Sequence, residues 1–178
     1  MAGLKTTLAG AKVYISTAAV TLPLDAAGFG ALTFTEITSV GNLGDYGAAP
    51  NIINYNTLDT EVMSKAKGVE DAGELAIEVA RIFDDPGQIA IRAAAATKFN
   101  YAIKVEYADA PTPSWSNTIM YAAGPVSGPQ LLGGGTDDFI RESYTVAFTD
   151  QRPIFVAPVE TRKVINGPAF PQPKHDHH

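Results

Sequence analysis

The chain has 178 residues, of which 46% are hydrophobic, and it carries a formal net charge of −6. This length and polarity predict one soluble globular domain rather than a disordered chain. The absence of cysteine excludes disulfides, thiolate metal sites and cysteine nucleophiles. The acidic balance argues against tight nucleic-acid binding, which depends on Lys and Arg neutralising phosphates. Since no apolar run is long enough to span a bilayer and no secretory leader is recognisable, we expect no membrane partner.

Apolar and polar residues alternate along most of the chain, a pattern typical of antiparallel strands with one buried face. Leu75, Ile77 and Val79 are predicted to point inward from one such segment, with Glu74 and Glu78 on its other face. The phase of the alternation changes near Ile37, which predicts a β-bulge there. The segments predicted to form strands are 12–16, 32–38, 74–79, 101–107, 119–122, 142–149 and 154–156.

One helix is predicted between the strands. Asp85 is a good N-cap, Pro86 suits the first helical position, and Gln88 stands where a capping box needs it. Apolar residues then recur at helical spacing, at Ile89, Ala93 and Ala96. The sequence therefore predicts a mainly β fold, an antiparallel sandwich or partial barrel with one packed helix over about residues 86–97.

Two further segments stand apart from this pattern. Residues 41–69 carry no continuous apolar stripe, and they are long for a connection within a compact domain. Within them, a polar strand from Asn51 ends in a turn at Thr57-Leu58-Asp59, and Lys65–Gly68 is predicted to be a loop. The chain end is rich in proline, which favours extended backbone. We therefore expect a β domain over residues 1–156, with a projecting loop at 41–69, and an arm over 157–178.

No set of residues in the sequence predicts an enzyme, a metal site or a bound cofactor. Ser64–Lys67 matches the S-x-x-K pattern of serine acyltransferases, but its companion motifs S-D-N and K-T-G are missing. Gly133–Thr136 lacks the Lys of a phosphate-binding loop. The pairs Asp84–Asp85 and Asp137–Asp138 are explained by capping and turns. All histidines lie at the chain end, too far from a packed core to serve as a held catalytic base: His175, His177 and His178.

The order of several short segments resembles the major tail tube protein of long-tailed, siphovirus-like bacteriophages. The segments that carry the resemblance are Phe34–Ile37, Val40–Gly44, Tyr55–Leu58, Gly73–Val79, Asp85–Gly87, Tyr121–Gly128 and Thr136–Thr149. The resemblance covers about residues 10–156. It implies a structural virion protein whose hexameric rings stack by helical assembly into a tail tube, the conduit for DNA ejection. It also implies assembly in the host cytoplasm and a final location in the phage tail.

The resemblance further implies partners. Partners would be other copies of the chain, the tape measure protein, and the tail terminator and distal tail proteins, with DNA passing without adhering. The length of the projecting loop and the reach of the extended arm, which a minimal tube protein lacks, predict subunit contacts in both segments: Tyr55, Leu58, Asp59, Lys65, Lys67, Val164, Ile165 and Phe170. Expected acidic residues facing the lumen, which would repel phosphate, are Glu74, Glu78, Glu106 and Glu142.

A different class of function stays open at this level. A monomeric β-sandwich could bind carbohydrate or peptide through Trp115 and nearby tyrosines, although Trp115 is also explained as a loop residue packed on the sheet edge. The state of association separates the two readings, because a tube protein forms hexamers or tubes and a binding module stays monomeric.

Overall fold

A computed structural model describes residues 6–47, 49–55, 58 and 62–161. Within these residues the chain forms ten strands and two helices: β1 (Lys12–Ser16), α1 (Ala26–Gly30), β2 (Phe34–Ile37), β3 (Val40–Leu43), β4 (Ala49–Tyr55), β5 (Ser64–Asp71), β6 (Glu74–Ala80), α2 (Pro86–Ala95), β7 (Asn100–Glu106), β8 (Ile119–Leu132), β9 (Arg141–Ala147) and β10 (Ile154–Val156). All the strand pairs are antiparallel. The prediction of a mainly β, sandwich-like fold with a packed helix is confirmed.

The main sheet has the strand order β2-β1-β7-β8-β9-β6-β3, and β10 pairs with β8 beside this path. Strand β8 links the two halves of the sheet, because its first half pairs with β7 and its second half with β9. The end strands β2 and β3 are neighbours in sequence but do not pair within the described residues, so the sheet is not a closed barrel. β4 and β5 form a separate two-stranded sheet.

The larger core lies on the face of the sheet that α2 covers. Leu75, Ile77 and Val79 are buried there as predicted, because alternate residues of a strand share a face. From β7, Ile103 and Val105 are buried in the same core. Tyr101 and Tyr107 are partly buried and pack against it.

Helix α2 begins after Asp85, whose carboxylate accepts a hydrogen bond from the Gln88 backbone N–H at 2.9 Å, which confirms the cap. The predicted stripe of Ile89, Ala93 and Ala96 is exposed, and the helix instead buries another face, made of Gly87, Gln88, Ile91 and Ala94. The expectation fails because the buried face includes a glycine and a glutamine. The Gln88 side chain donates to the carbonyls of Thr38 and Ala80 and accepts from the Ile82 N–H, so its polar atoms are satisfied in the core.

The opposite face of the sheet is covered near β7 and β8 by the short helix α1, which the sequence analysis did not predict. Phe29 of α1 is fully buried and stacks on Tyr121, with ring centroids 5.4 Å apart. The Gln151 side chain holds the segment before α1, since it bonds both the N–H and the carbonyl of Leu24, at 2.7 and 2.8 Å. This half of the sheet is therefore buried on both faces.

The change of phase near Ile37, predicted to be a β-bulge within one strand, lies between two strands in the structure, because β2 ends at Ile37 and β3 begins at Val40. β2 pairs with β1, whereas β3 pairs with β6 at the other end of the sheet. Ser39, between them, has a positive φ of 58°, and the register of β3 shifts between Val40 and Asn42. The change of phase in the sequence therefore marks a crossover between the two halves of the sheet. No helix within the described ranges is long and apolar enough to cross a membrane.

Candidate assembly interface

The β4–β5 hairpin leaves the body of the protein without a sheet partner. Within the described residues, β4 and β5 pair only with each other, and a two-stranded hairpin alone is marginally stable in water. Lys65–Gly68, predicted to be a loop, lies inside β5. The hairpin therefore depends for its stability on contacts beyond its own two strands.

The two faces of the hairpin differ in character. Tyr55 is 67% exposed and shares a face with Ile53 and Ala66. Lys65 and Lys67 lie on the other face, together with the exposed Ile52 and with Asn54. The hairpin and its turn expose several large apolar side chains: Ile52, Ile53, Tyr55, Leu58, Val62, Met63 and Val69.

The predicted contact residues are thus only partly brought together. Tyr55 stands on one face of the hairpin, Lys65 and Lys67 stand on the other, and Leu58 lies near the turn and is exposed. Asp59 lies outside the described residues, as do Val164, Ile165 and Phe170 of the arm. The predicted contact residues that the structure describes therefore do not lie together on one face of the hairpin.

The base of the hairpin is fixed at two points. Gly73 has a positive φ of 88°, and a Cβ on it would collide with the carbonyl of Gly47, so the chain enters and leaves the hairpin through two touching glycines. Arg152, on the connection between β9 and β10, forms an ion pair with Glu70. A groove of about 420 Å³ lies between residues 70–72 at the base of the hairpin and residues 148–152 after β9. The hairpin is therefore attached at its base and projects beyond it.

Glu142 was predicted to face a lumen, and the structure contradicts this. Its residue is only 2% exposed. It lies 3.3 Å from the Nε atoms of both Arg81 and Arg92, and it accepts a hydrogen bond of 2.6 Å from the Tyr144 hydroxyl. Glu142 pairs with Val79 across the sheet and so shares the face covered by α2. Its charge joins α2 and the end of β6 to β9 and does not reach a surface.

This environment shifts the pKa values of two ionisable groups, the Glu142 carboxyl and the Tyr144 hydroxyl. Burial raises the pKa of the Glu142 carboxyl, but hydrogen bonds from Tyr144 and Arg92 and the charges of both arginines outweigh it, so the pKa lies below its ordinary value. Burial, followed by the bond to Glu142, raises the pKa of the Tyr144 hydroxyl. Glu142 is thus held ionised and Tyr144 neutral.

The other three acidic candidates share the opposite face of the sheet, as the strand registers require. Glu74 is exposed. Glu78 accepts a hydrogen bond from Arg141 at 2.9 Å, and Glu106 accepts bonds from Tyr14 at 3.4 Å and Asn117 at 3.1 Å. Two of the three carboxylates are therefore already engaged by other side chains of the same chain.

The first residues of the proline-rich arm are attached to the loop that carries Trp115. Trp115 forms an antiparallel bridge with Glu160, and the Ser116 N–H donates to the Val159 carbonyl at 2.9 Å. Trp115 is 37% exposed. The interpretation of Trp115 as a packed loop residue agrees with this pairing, and the binding-module alternative has only part of the indole surface available.

The motifs that could have suggested catalysis have structural explanations. Ser64 and Lys67 fall on opposite faces of β5, because three residues separate them in a strand. The Asp138 carboxylate accepts from the Gly135 N–H at 2.7 Å and closes the loop between β8 and β9. Within the described ranges, no three His, Asp or Glu side chains are grouped closely enough to hold a metal ion.

Comparison with known proteins gives a fold but no family. No protein-family model matches the sequence, and no curated protein sequence matches it. Among solved structures, the chain is similar to the sheath/tube terminator of PVC, an extracellular contractile injection system, in its extended state; the TM-score is 0.60 at 10% identity, over 88% of this chain and 100% of that chain. It is also similar to a chain of the sixfold-symmetrised baseplate of the anti-feeding prophage, with a TM-score of 0.58 at 8% identity, over 92% of this chain and 100% of that chain. At these identities the likeness establishes a shared fold: the chain has the fold of these two injection-system and baseplate chains.

Proposed function

We propose that this chain is a structural subunit of a phage-tail-like particle, in which six copies form a ring and rings stack into a tube that conducts DNA. The observation that carries the proposal is a projecting hairpin with exposed apolar side chains on a fold shared with injection-system components. Such a hairpin is expected to be stabilised by a neighbouring subunit. Partners are then other copies, the tape measure protein and the proteins that end the tail.

A direct measurement of association tests this function. Purified protein at increasing concentration is followed by light scattering and then imaged by negative-stain electron microscopy. Rings of six copies and stacked tubes are the expected result. A protein that stays monomeric at high concentration contradicts the proposal and favours the binding module, in which Trp115 and the surrounding tyrosines hold carbohydrate or peptide.

A ring that closes the end of a tube is a second candidate, favoured by the similarity to a sheath/tube terminator. A terminator has one ring face that does not add further copies, so purified protein is expected to stop at single rings. Stacks of many rings favour the tube subunit, and the same micrographs distinguish the two.

Passage of DNA requires a lumen to which phosphate does not adhere. With Glu142 buried, the acidic lumen candidates are Glu74, Glu78 and Glu106, which share one face of the sheet. Since α1 covers this face on β7 and β8, we propose that its part on β6 and β9, with Glu74 and Glu78, turns toward the channel, where carboxylates repel phosphate. A measured channel surface formed by the α2 side of the sheet contradicts this orientation.

Removal of the hairpin is expected to leave a folded subunit that cannot stack. Because Gly73 lies against Gly47, residues 49–71 can be deleted, with Ala48 joined directly to Ala72. The main core is untouched by this deletion, so we expect cooperative unfolding close to that of the parent protein and no tubes in micrographs. Normal tubes from the deleted protein contradict the proposed role of the hairpin.

Removal of residues 162–178 is expected to weaken assembled tubes without unfolding the subunit. This truncation keeps the pairing of residues 159–161 with the Trp115 loop. It removes Val164, Ile165 and Phe170, which we propose as anchors on a neighbouring copy. The urea concentration that dissociates the tubes should fall, while monomer unfolding stays the same. A variant in which the three anchors are replaced by serine keeps the full length of the arm and should show the same fall. Unchanged dissociation of both proteins contradicts the proposal.

A further inference from the structure

A second exposed apolar surface lies at one end of the main sheet. It is made of aromatic and aliphatic side chains at the ends of β6, β8 and β9, with two exposed carboxylates beside them; we name it the end patch, and its residues are Phe83, Leu131, Phe139, Ile140, Asp84 and Asp137. Phe83 and Phe139 are each 81% exposed. Exposure of two phenylalanines at one end of a sheet is unusual for a surface that meets only water.

Backbone contacts bring the parts of the end patch together. The Arg81 N–H donates to the Ile140 carbonyl at 2.8 Å, which continues the pairing of β6 with β9 toward Phe83 and Phe139. Leu131, on the adjacent strand β8, is the Cα partner of Glu142 of β9. The residues of the patch therefore stand at three neighbouring strand ends.

The end patch and the hairpin stand at opposite ends of the same strand. β6 begins at Glu74, directly after the hairpin base at Gly73, and ends at Ala80, just before the patch. Seven strand residues span roughly 20 Å. A surface at one end and a projection at the other generate a head-to-tail contact, which repeats along an axis.

The two surfaces are complementary in charge as well as in polarity. One hairpin face carries Lys65, Lys67 and the exposed Ile52, and Glu70 at its base is already paired with Arg152. At the end patch, Arg81 is engaged by Glu142 and Asp138 by the Gly135 N–H, so Asp84 and Asp137 supply the remaining exposed carboxylates beside the phenylalanines. The lysines of one surface match the carboxylates of the other.

We propose that the end patch receives the hairpin of a second copy of this chain, so that it forms the ring-to-ring contact of the assembly. The proposal rests on the proposed function and adds the receiving surface. Phe83 and Phe139 are the apolar anchors of the contact, and Asp84 and Asp137 fix its register by pairing with the lysines of the hairpin.

Cysteine cross-linking tests the contact, because the chain has no cysteine of its own. Lys67→Cys and Phe139→Cys are made as separate proteins, mixed, assembled and oxidised. A disulfide-linked heterodimer is expected on a non-reducing gel. A mixture of Lys67→Cys with Phe99→Cys is the control, since Phe99 is exposed but belongs to neither surface, and this pair should stay unlinked.

Assembly measurements test the energetic role of the patch. Phe139→Ser is expected to raise the critical concentration for tube formation by about tenfold or more, and Phe99→Ser to leave it unchanged. Lys67→Glu should also raise it, and adding Asp137→Lys in the same chain should restore assembly. Lys98→Glu, at an exposed lysine outside both surfaces, is the matched charge control.

The outcomes separate this inference from the proposed function. Tubes that form normally from Phe139→Ser, with no cross-link to Lys67→Cys, overturn the end patch as receptor and leave the tube function standing. Wild-type protein that remains monomeric overturns both. Cross-linking together with rescue of Lys67→Glu by Asp137→Lys supports the contact.

Discussion

Gly87→Ala is expected to lower the free energy of unfolding by about 3 kcal/mol. Gly87 is buried in the first turn of α2, where an added Cβ would overlap the carbonyl oxygen of Glu36 at the end of β2. The obstacle is backbone and cannot rotate away, so the helix must shift from the sheet. Urea unfolding followed by Trp115 fluorescence, under conditions in which the protein is monomeric, measures the loss.

The direction of this effect makes the experiment decisive. Replacing glycine by alanine inside a helix ordinarily stabilises it by up to about 1 kcal/mol. Gly30, the last residue of α1, has open space where its Cβ would stand, so Gly30→Ala is the matched control and should be neutral or slightly stabilising. If Gly87→Ala is as stable as the parent, the close approach of α2 to β2 is wrong.

Strand faces were predictable from the sequence where each side of a strand has a constant environment. Alternation identified the buried sides of β6 and β7 because their apolar residues all meet the same core. The cap of α2 was predictable for a similar reason, since Asp85 acts on the N–H of a residue only three positions away. Local patterns succeed where the interactions are local or periodic.

Other elements could not be predicted because their determinants are distant or locally unfavourable. The strand at 119–122 was predicted to end at Ala122, but β8 runs on through Gly124 and Pro125, which are poor strand residues. It continues because Gly124 lets the backbone of β9 approach, and the irregular register near Pro129 absorbs the break. Burial of Gln88 depends on carbonyls 50 and 8 positions away, which no window of sequence connects.

The buried position of Glu142 could have been predicted from the sequence. Tyr144 and Val146 are inward residues of β9, and the same period of two places Glu142 on their side. Charge alone made it a surface candidate. The arginines that neutralise it come from the end of β6 and from α2, at positions 81 and 92, and only the folded chain brings them together.

Glu142→Ala is expected to destabilise the subunit by roughly 3 kcal/mol. It removes the acceptor of the fully buried Tyr144 hydroxyl and the partner of both arginines. The expected loss of unfolding free energy is at the low end of the range for breaking a buried ion pair. The Arg81 and Arg92 side chains are 44% and 24% exposed and can reach water. Glu78→Ala, which removes the more exposed pair with Arg141, is the control and should cost less than about 1 kcal/mol.

Acid should remove the stabilisation by Glu142 in a defined direction. The pKa of the carboxyl in the folded state lies below its ordinary value of 4.5, so the unfolded state takes up the proton first as the pH falls. The contribution of Glu142 is therefore fully present well above pH 4.5 and is lost as the pH falls through the lower folded-state pKa. The difference in unfolding free energy between the parent protein and Glu142→Gln should be constant from about pH 7 to about pH 5.5 and should shrink below about pH 4.5. A difference that stays constant or grows on acidification contradicts an ionised Glu142 between Arg81 and Arg92. Because these contacts join α2 and β6 to β9, hydrogen exchange at low pH should increase first in α2.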